Sequence, residues 1–173
     1  MNRAHPLLCT LLCTMLAGAL IGACGVPVAD DRFVVHAPSS NEFANKGVGV
    51  FLDARCGTLD CHGSTFRNMR LYGKEGLRLD SSTLPGSGDT TPAELETDYR
   101  SVVGLEPEVM TAVVRDQGAR PARLTMIRKA RGTESHKGGQ LWTAGDDQDR
   151  CVTSWLAGAT DADACTRALA STR

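Results

Sequence analysis

The rhythm of apolar residues changes three times along this chain. Leu7, Leu8, Leu11, Leu12, Leu16 and Leu20 form a nearly unbroken run behind a short basic start at Arg3 and His5. Residues 24–40 are then polar and turn-forming, with Pro27, Asp30, Asp31, Pro38, Ser39 and Ser40, and read as a flexible tether. Beyond them the spacing becomes mostly helical. Asn41 is placed as the N-cap of one helix from Glu42 to about Arg55, with Phe43, Val50, Phe51 and Ala54 sharing a side. Gly47 and Gly49 weaken that helix by about 1 kcal/mol each relative to alanine. Such glycines are expected where another helix or a flat ligand comes close to the backbone.

The pattern shifts again after residue 68. Met69 and Leu71, then Leu77 and Leu79, alternate with polar residues, which predicts a short hairpin or a pair of extended arms. Ser81 to Asp89 is a loop. Thr91-Pro92-Ala93-Glu94 spells a capping box with proline at the first helical position, opening a helix to about Val103. Pro107 opens another, with Val109, Met110, Val113 and Val114 apolar and Gly118 beyond its end. Pro121 to Arg131 holds a short helix with Leu124 and Ile127 inward. Asp146 or Asp147 caps a last helix that carries Cys151, Val152, Trp155 and Leu156 and stops at Gly158. The expected fold class is mostly α with a minor extended or hairpin element, in one domain over residues 41–173.

The leading apolar run is shorter than the ~20 residues of a membrane span and reads as a secretory signal over residues 1–23. Its end, Leu20-Ile21-Gly22-Ala23-Cys24, resembles the lipobox of bacterial lipoproteins. That resemblance implies that Cys24 becomes the first mature residue and carries lipid. The protein would then be anchored in the cell envelope and face the periplasm. No aspartate follows Cys24, which favours the outer membrane. Removing residues 1–23 takes away Arg3 alone among charged residues, so 20 acids face 18 Lys and Arg. The slightly acidic balance argues against nucleic acid as a partner.

Export changes the reading of the cysteines. Cys9 and Cys13 lie in the leader and Cys24 is assigned to lipid, which leaves Cys56, Cys61, Cys151 and Cys165. An oxidising compartment favours disulfides. Cys151 and Cys165 are expected to pair and fasten the tail to the last helix. Cys56 and Cys61 are free either to pair with each other or to hold a cofactor.

Cys56-Gly57-Thr58-Leu59-Asp60-Cys61-His62-Gly63 resembles a c-type haem attachment site, with four spacer residues where two are usual. Gly76-Leu77-Arg78-Leu79-Asp80, His136-Lys137-Gly138-Gly139 and Ser154-Trp155-Leu156-Ala157-Gly158-Ala159 add to the likeness. Together these stretches resemble the cytochrome c-like domains of large exported bacterial proteins, over roughly Phe51 to Ala159. The resemblance implies a cytochrome c-like helical domain carrying a single haem c on Cys56 and Cys61 for electron transfer. His62 would be the proximal iron ligand. His36, His136, Met69, Met110 and Met126 are the available sixth ligands. His136, in the loop where the family's distal residue falls, is preferred, with Met126 as the alternative. A redox protein would be the partner.

Other readings of the same residues stand beside this one. Cys56 and Cys61 form a small disulfide in a haem-free lipoprotein with a binding or structural role. Met126, beside Leu124 and Ile127, is a core residue, and His136 a solvated loop residue. Zinc or copper on Cys56, Cys61, His62 and His136 has a workable ligand count. Enzyme motifs are absent: there is no Gly-x-Ser-x-Gly, phosphate-binding loop or His-Glu-x-x-His. Asp146, Asp147 and Asp149 suit a helix start rather than a calcium loop. Arg128-Lys129-Ala130-Arg131 reads as a solvated face, or as a surface meeting haem propionates or an acidic partner.

Overall fold

Ser39, rather than Asn41, caps the first helix: its hydroxyl accepts from the Glu42 N–H at 3.2 Å. The computed structural model describes residues 36–172, which fall within one unit that begins at Val35. The leader, Cys24 and most of the tether lie outside the described residues. Residues 36–40, assigned to the tether from sequence, belong instead to the folded domain. Pro38 is buried, and its carbonyl accepts from the Tyr99 hydroxyl at 2.9 Å. The Ser39 carbonyl accepts from Trp155 Nε1–H at 2.9 Å.

The single helix expected over 42–55 is two. α1 (Ser40–Asn45) and α2 (Val48–Cys56) meet at Gly47, whose φ of 86° is left-handed and open to glycine at little cost. Gly49 is required by packing, because a Cβ there would lie 2.6 Å from the Phe43 ring. The remaining helices are α3 (Pro92–Val103), α4 (Pro107–Arg115), α5 (Thr125–Ala130), α6 (Asp147–Leu156) and α7 (Ala162–Ala170). A 3-10 turn at Pro121–Arg123 leads into α5. The domain is mostly α, and none of these helices is long and apolar enough to cross a membrane.

α3 begins as its sequence demands. Thr91 and Glu94 complete the capping box, and Pro92 occupies the first turn. Asp146 caps α6 by accepting from the Asp149 N–H at 2.8 Å. α7 was not expected from sequence. It starts at Asp161, whose side chain accepts from the Ala164 N–H, and buries Ala164, Cys165 and Ala168.

No strand occurs among the described residues, so the predicted hairpin is replaced by an arch over residues 69–80. Its only ladder contact is an isolated bridge between Tyr72 and Leu77. The alternation fails for a physical reason. Arg78 turns inward and is 8% exposed, while Leu79, expected inside, is 47% exposed. The buried Glu94 carboxylate draws Arg78 in, with contacts of 2.8 and 3.0 Å.

The core centres on Trp155, which is fully buried. Phe43 packs on it at 5.2 Å between ring centroids, and Tyr99 packs edge-on against Phe43 at 5.8 Å. α6 lies against α7, and α7 against α2, so the tail closes over the start of the domain. Phe51 of α2 meets Trp142 at 5.8 Å, and Trp142 lines a cleft.

Candidate functional site

The site grows out of the C-terminal end of α2. Cys56 closes that helix, and the chain then doubles back. The His62 N–H donates to the Cys56 carbonyl at 2.9 Å, and the Cys61 and Gly63 N–H groups both donate to Thr58 at 2.9 Å. The four spacer residues are thus taken up in a compact loop that returns His62 to the helix end.

The arch fastens this loop from above. Leu71 N–H donates to the His62 carbonyl at 2.9 Å, and Leu77 N–H to the Gly63 carbonyl at 3.1 Å. The two chains touch backbone to backbone. A Cβ on Gly63 would fall 1.8 Å from the Gly57 oxygen, and one on Gly76 would fall 1.9 Å from the same atom. Only glycine fits either place. The glycine after His62 and the glycine before Leu77-Arg78-Leu79 therefore meet in space, and Arg78 continues the chain of contacts to Glu94 of the capping box.

Beside this junction lies a cleft of about 640 Å³, within the usual range for small-molecule and cofactor sites. Cys56, Cys61, His62, Met69, Met126, His136 and Trp142 all line it. It thus gathers the two thiols, the proposed proximal histidine and both distal alternatives. His36 lies elsewhere, near Arg115 and Thr111. Met110 is in the core and does not line the cleft.

Cys56 and Cys61 are free thiols, whereas Cys151 and Cys165 are joined by a disulfide. Burial pushes the Cys56 thiol up to about 12. His62 Nδ1 lies 2.8 Å from the Met69 carbonyl. A carbonyl only accepts, so Nδ1 carries the proton and Nε2 keeps the lone pair that binds metal. Burial lowers the His62 pKa, against the pull of that hydrogen bond, and the positive surroundings of His136, Arg67 and Lys129 lower it further. The imidazole is held neutral, as a ligand must be.

His136 faces His62 across the cleft. The ring centroids are 6.1 Å apart and the planes differ by 20°. The two rings are stacked, one plane facing the other. Met126 is 8% exposed and belongs to the core as well as to the cleft wall. Among the described residues, no three His, Cys, Asp or Glu side chains cluster as a metal site on their own.

Sequence reasoning missed Trp142. It is 3% exposed and lines the cleft, yet its Nε1–H has no acceptor. A buried donor without a partner costs about 1–3 kcal/mol. Lys129, Lys137 and Arg67 supply positive charge around the same opening, and Asp60 and Glu106 supply the negative. Phe66 stands at the cleft 93% exposed. The aspartates of α6 are structural: Asp149 takes Arg131 in two bonds of 2.8 Å, and Asp147 takes Arg167 of α7. No protein family, curated protein or solved structure matches this chain.

Proposed function

We propose that this protein is a single-haem electron carrier of cytochrome c-like type, exported and anchored to the envelope membrane through lipid on Cys24. The observation that carries the reading is the gathering of Cys56, Cys61, His62 and His136 in one cleft, with the two imidazole centroids 6.1 Å apart. Bound haem c would supply one-electron exchange between ferric and ferrous iron. Every other part of the task falls to the chain. Cys56 and Cys61 hold the porphyrin edge as thioethers. His62, oriented through Met69, would offer Nε2 as one iron ligand, and His136 would offer its imidazole as the other. Trp142 Nε1–H and the Lys129, Lys137 and Arg67 side chains suit the propionate carboxylates. Leu52, Met69, Ala130 and Leu141 give the cleft an apolar wall that excludes water. Met126 remains the alternative sixth ligand from that wall.

The test is direct. The chain is expressed with a c-type haem attachment system and examined by pyridine haemochrome spectrum and by haem stain on a denaturing gel. Heat-stable colour that vanishes in Cys56→Ala/Cys61→Ala is expected. No colour in the unmodified chain sinks the proposal.

A second reading is a haem-free lipoprotein with a binding or structural role, in which Cys56 and Cys61 bond to each other. The tight return of the loop, with the His62 N–H on the Cys56 carbonyl, favours it. The mature mass separates the two, since haem adds its own mass and a disulfide removes two hydrogens.

A further inference from the structure

Three carboxylates and one guanidinium are buried where α2, α3 and the arch meet. Asp53, Glu94 and Asp98 are 2%, 1% and 0% exposed, and Arg78 is 8% exposed. Arg78 is committed to Glu94, which also accepts from Thr91 and from the Leu79 N–H. Asp98 Oδ1 accepts from the Tyr72 N–H at 2.6 Å. Asp53 Oδ2 accepts from the Lys74 N–H at 3.1 Å and from the Thr90 hydroxyl. Asp53 Oδ1 and Asp98 Oδ2 are buried with no partner at all.

Neither acid takes part in an ion pair: the salt bridges among the described residues involve other carboxylates, and Arg78 goes to Glu94. On the arch, Arg70 donates to the Tyr72 hydroxyl and the Thr65 carbonyl and keeps its Nε without a partner, and the Lys74 and Glu75 side chains are exposed; on α2, Arg55 donates to the Leu141 carbonyl at 2.9 Å. α1 turns Phe43 toward Tyr99 and pairs its Glu42 with Lys46. The nearest charges acting on Asp98 are those of Asp53 and Glu94, and both oppose its ionisation. Two uncompensated buried anions are strongly unfavourable, and a proton is the smallest remedy.

We propose that Asp98 is the proton-binding site of a pH-sensitive latch: protonated, it keeps the arch fastened over the Cys56–His62 loop, and deprotonated, it lets the arch loosen. The connection to the cleft is short. Tyr72, whose N–H Asp98 holds, follows Leu71, whose N–H holds the His62 carbonyl; Met69 orients the His62 ring. The latch goes beyond the haem reading and operates with or without haem.

Burial, opposed by the Tyr72 hydrogen bond and reinforced by Asp53 and Glu94, raises the Asp98 carboxyl from 3.8 to about 8. The folded state therefore binds this proton more tightly than the unfolded chain. Its stabilising effect is present at low pH and is lost as pH rises toward about 8.

The test is a pH titration of the full chain by NMR, reading the Asp98 carboxyl carbon and the exchange of the Leu71, Tyr72 and Leu77 amides. A carboxyl titration in the neutral-to-alkaline range is expected. It should coincide with exchange about tenfold faster than the intrinsic pH trend, confined to these amides. Asp98→Asn, which keeps an acceptor for Tyr72, should abolish the step. Titration of Asp98 in the ordinary carboxylate range overturns the proposal. So does a step that persists in the variant, or one removed by calcium, which would mean a cation site instead. If Asp98→Asn does not fold, Asp53→Asn should move the Asp98 midpoint to lower pH, and an unmoved midpoint overturns the latch. Haem attachment is read separately by stain, so either idea can fail alone.

Discussion

Two cysteine pairs in this domain live under opposite conditions. Cys151 and Cys165 are 0% and 1% exposed, bonded to each other, and sealed between α6 and α7 against the Trp155 core. Cys56 and Cys61 sit at a helix end and its return loop, unbonded, and face a cleft. The tail is closed covalently. The cleft region is closed by the buried Arg78–Glu94 pair, by glycine contacts and by backbone hydrogen bonds of the arch. A staple sits where the fold needs only stability. A non-covalent clasp sits where thiols and imidazoles line a cleft.

The strongest way to break this contrast is to exchange the fates of the pairs. Cys56→Ala/Cys61→Ala is expected to lose covalent haem completely, while Cys151→Ala/Cys165→Ala keeps it, both read on a haem-stained gel. Next comes the clasp. Arg78→Met leaves Glu94 buried without its partner and is expected to cost about 3–5 kcal/mol in denaturant unfolding. Removing the staple with Cys151→Ala/Cys165→Ala is expected to cost about 3 kcal/mol, as for a loop of similar length. A variant that loses stability in neither place would erase the division of labour.

A gentler probe leaves the sequence alone. In haem-free, unreduced protein, iodoacetamide should label Cys61 and spare Cys56, which burial keeps as a thiol. The tail pair should take no label. If neither cleft cysteine is labelled and the mass is short by two further hydrogens, the two pairs are alike and the haem-free reading gains. The smallest expected effect lies at the arch's far anchor: Thr91→Ala removes one half of the capping box and should cost about 1 kcal/mol.

Much of the helical frame was legible because its signals are local. Thr91, Pro92 and Glu94 announce α3 within four residues, and Asp146 announces α6. The cleft's membership was legible only through the spacing of Cys56, Cys61 and His62 and the position of His136. What escaped was set by distant partners. Trp142 sits in a polar stretch, and its burial comes from Phe51. Asp53 and Asp98 carry no local sign of burial, which comes from the arch folding over them. The alternation of Met69 and Leu71, then Leu77 and Leu79, predicts a hairpin or a pair of extended arms and carries no sign of Glu94, which, remote in sequence, turns Arg78 inward. α7 is short and alanine-rich, so its apolar stripe of Ala164, Cys165 and Ala168 is faint. Asp161 four residues before Cys165 was the signal available.

The hydrogen bond from Trp155 to the Ser39 carbonyl has a mechanical side. The chain joins the domain at its innermost aromatic residue, with Tyr99 gripping the neighbouring Pro38 carbonyl. A pull entering at His36 meets first its N–H bond to the Thr111 hydroxyl of α4 and then the contacts of Pro38 and Ser39, so it is shared among α4, α3 and α6. Force entering there is resisted by three helices at once rather than peeling one of them from the surface.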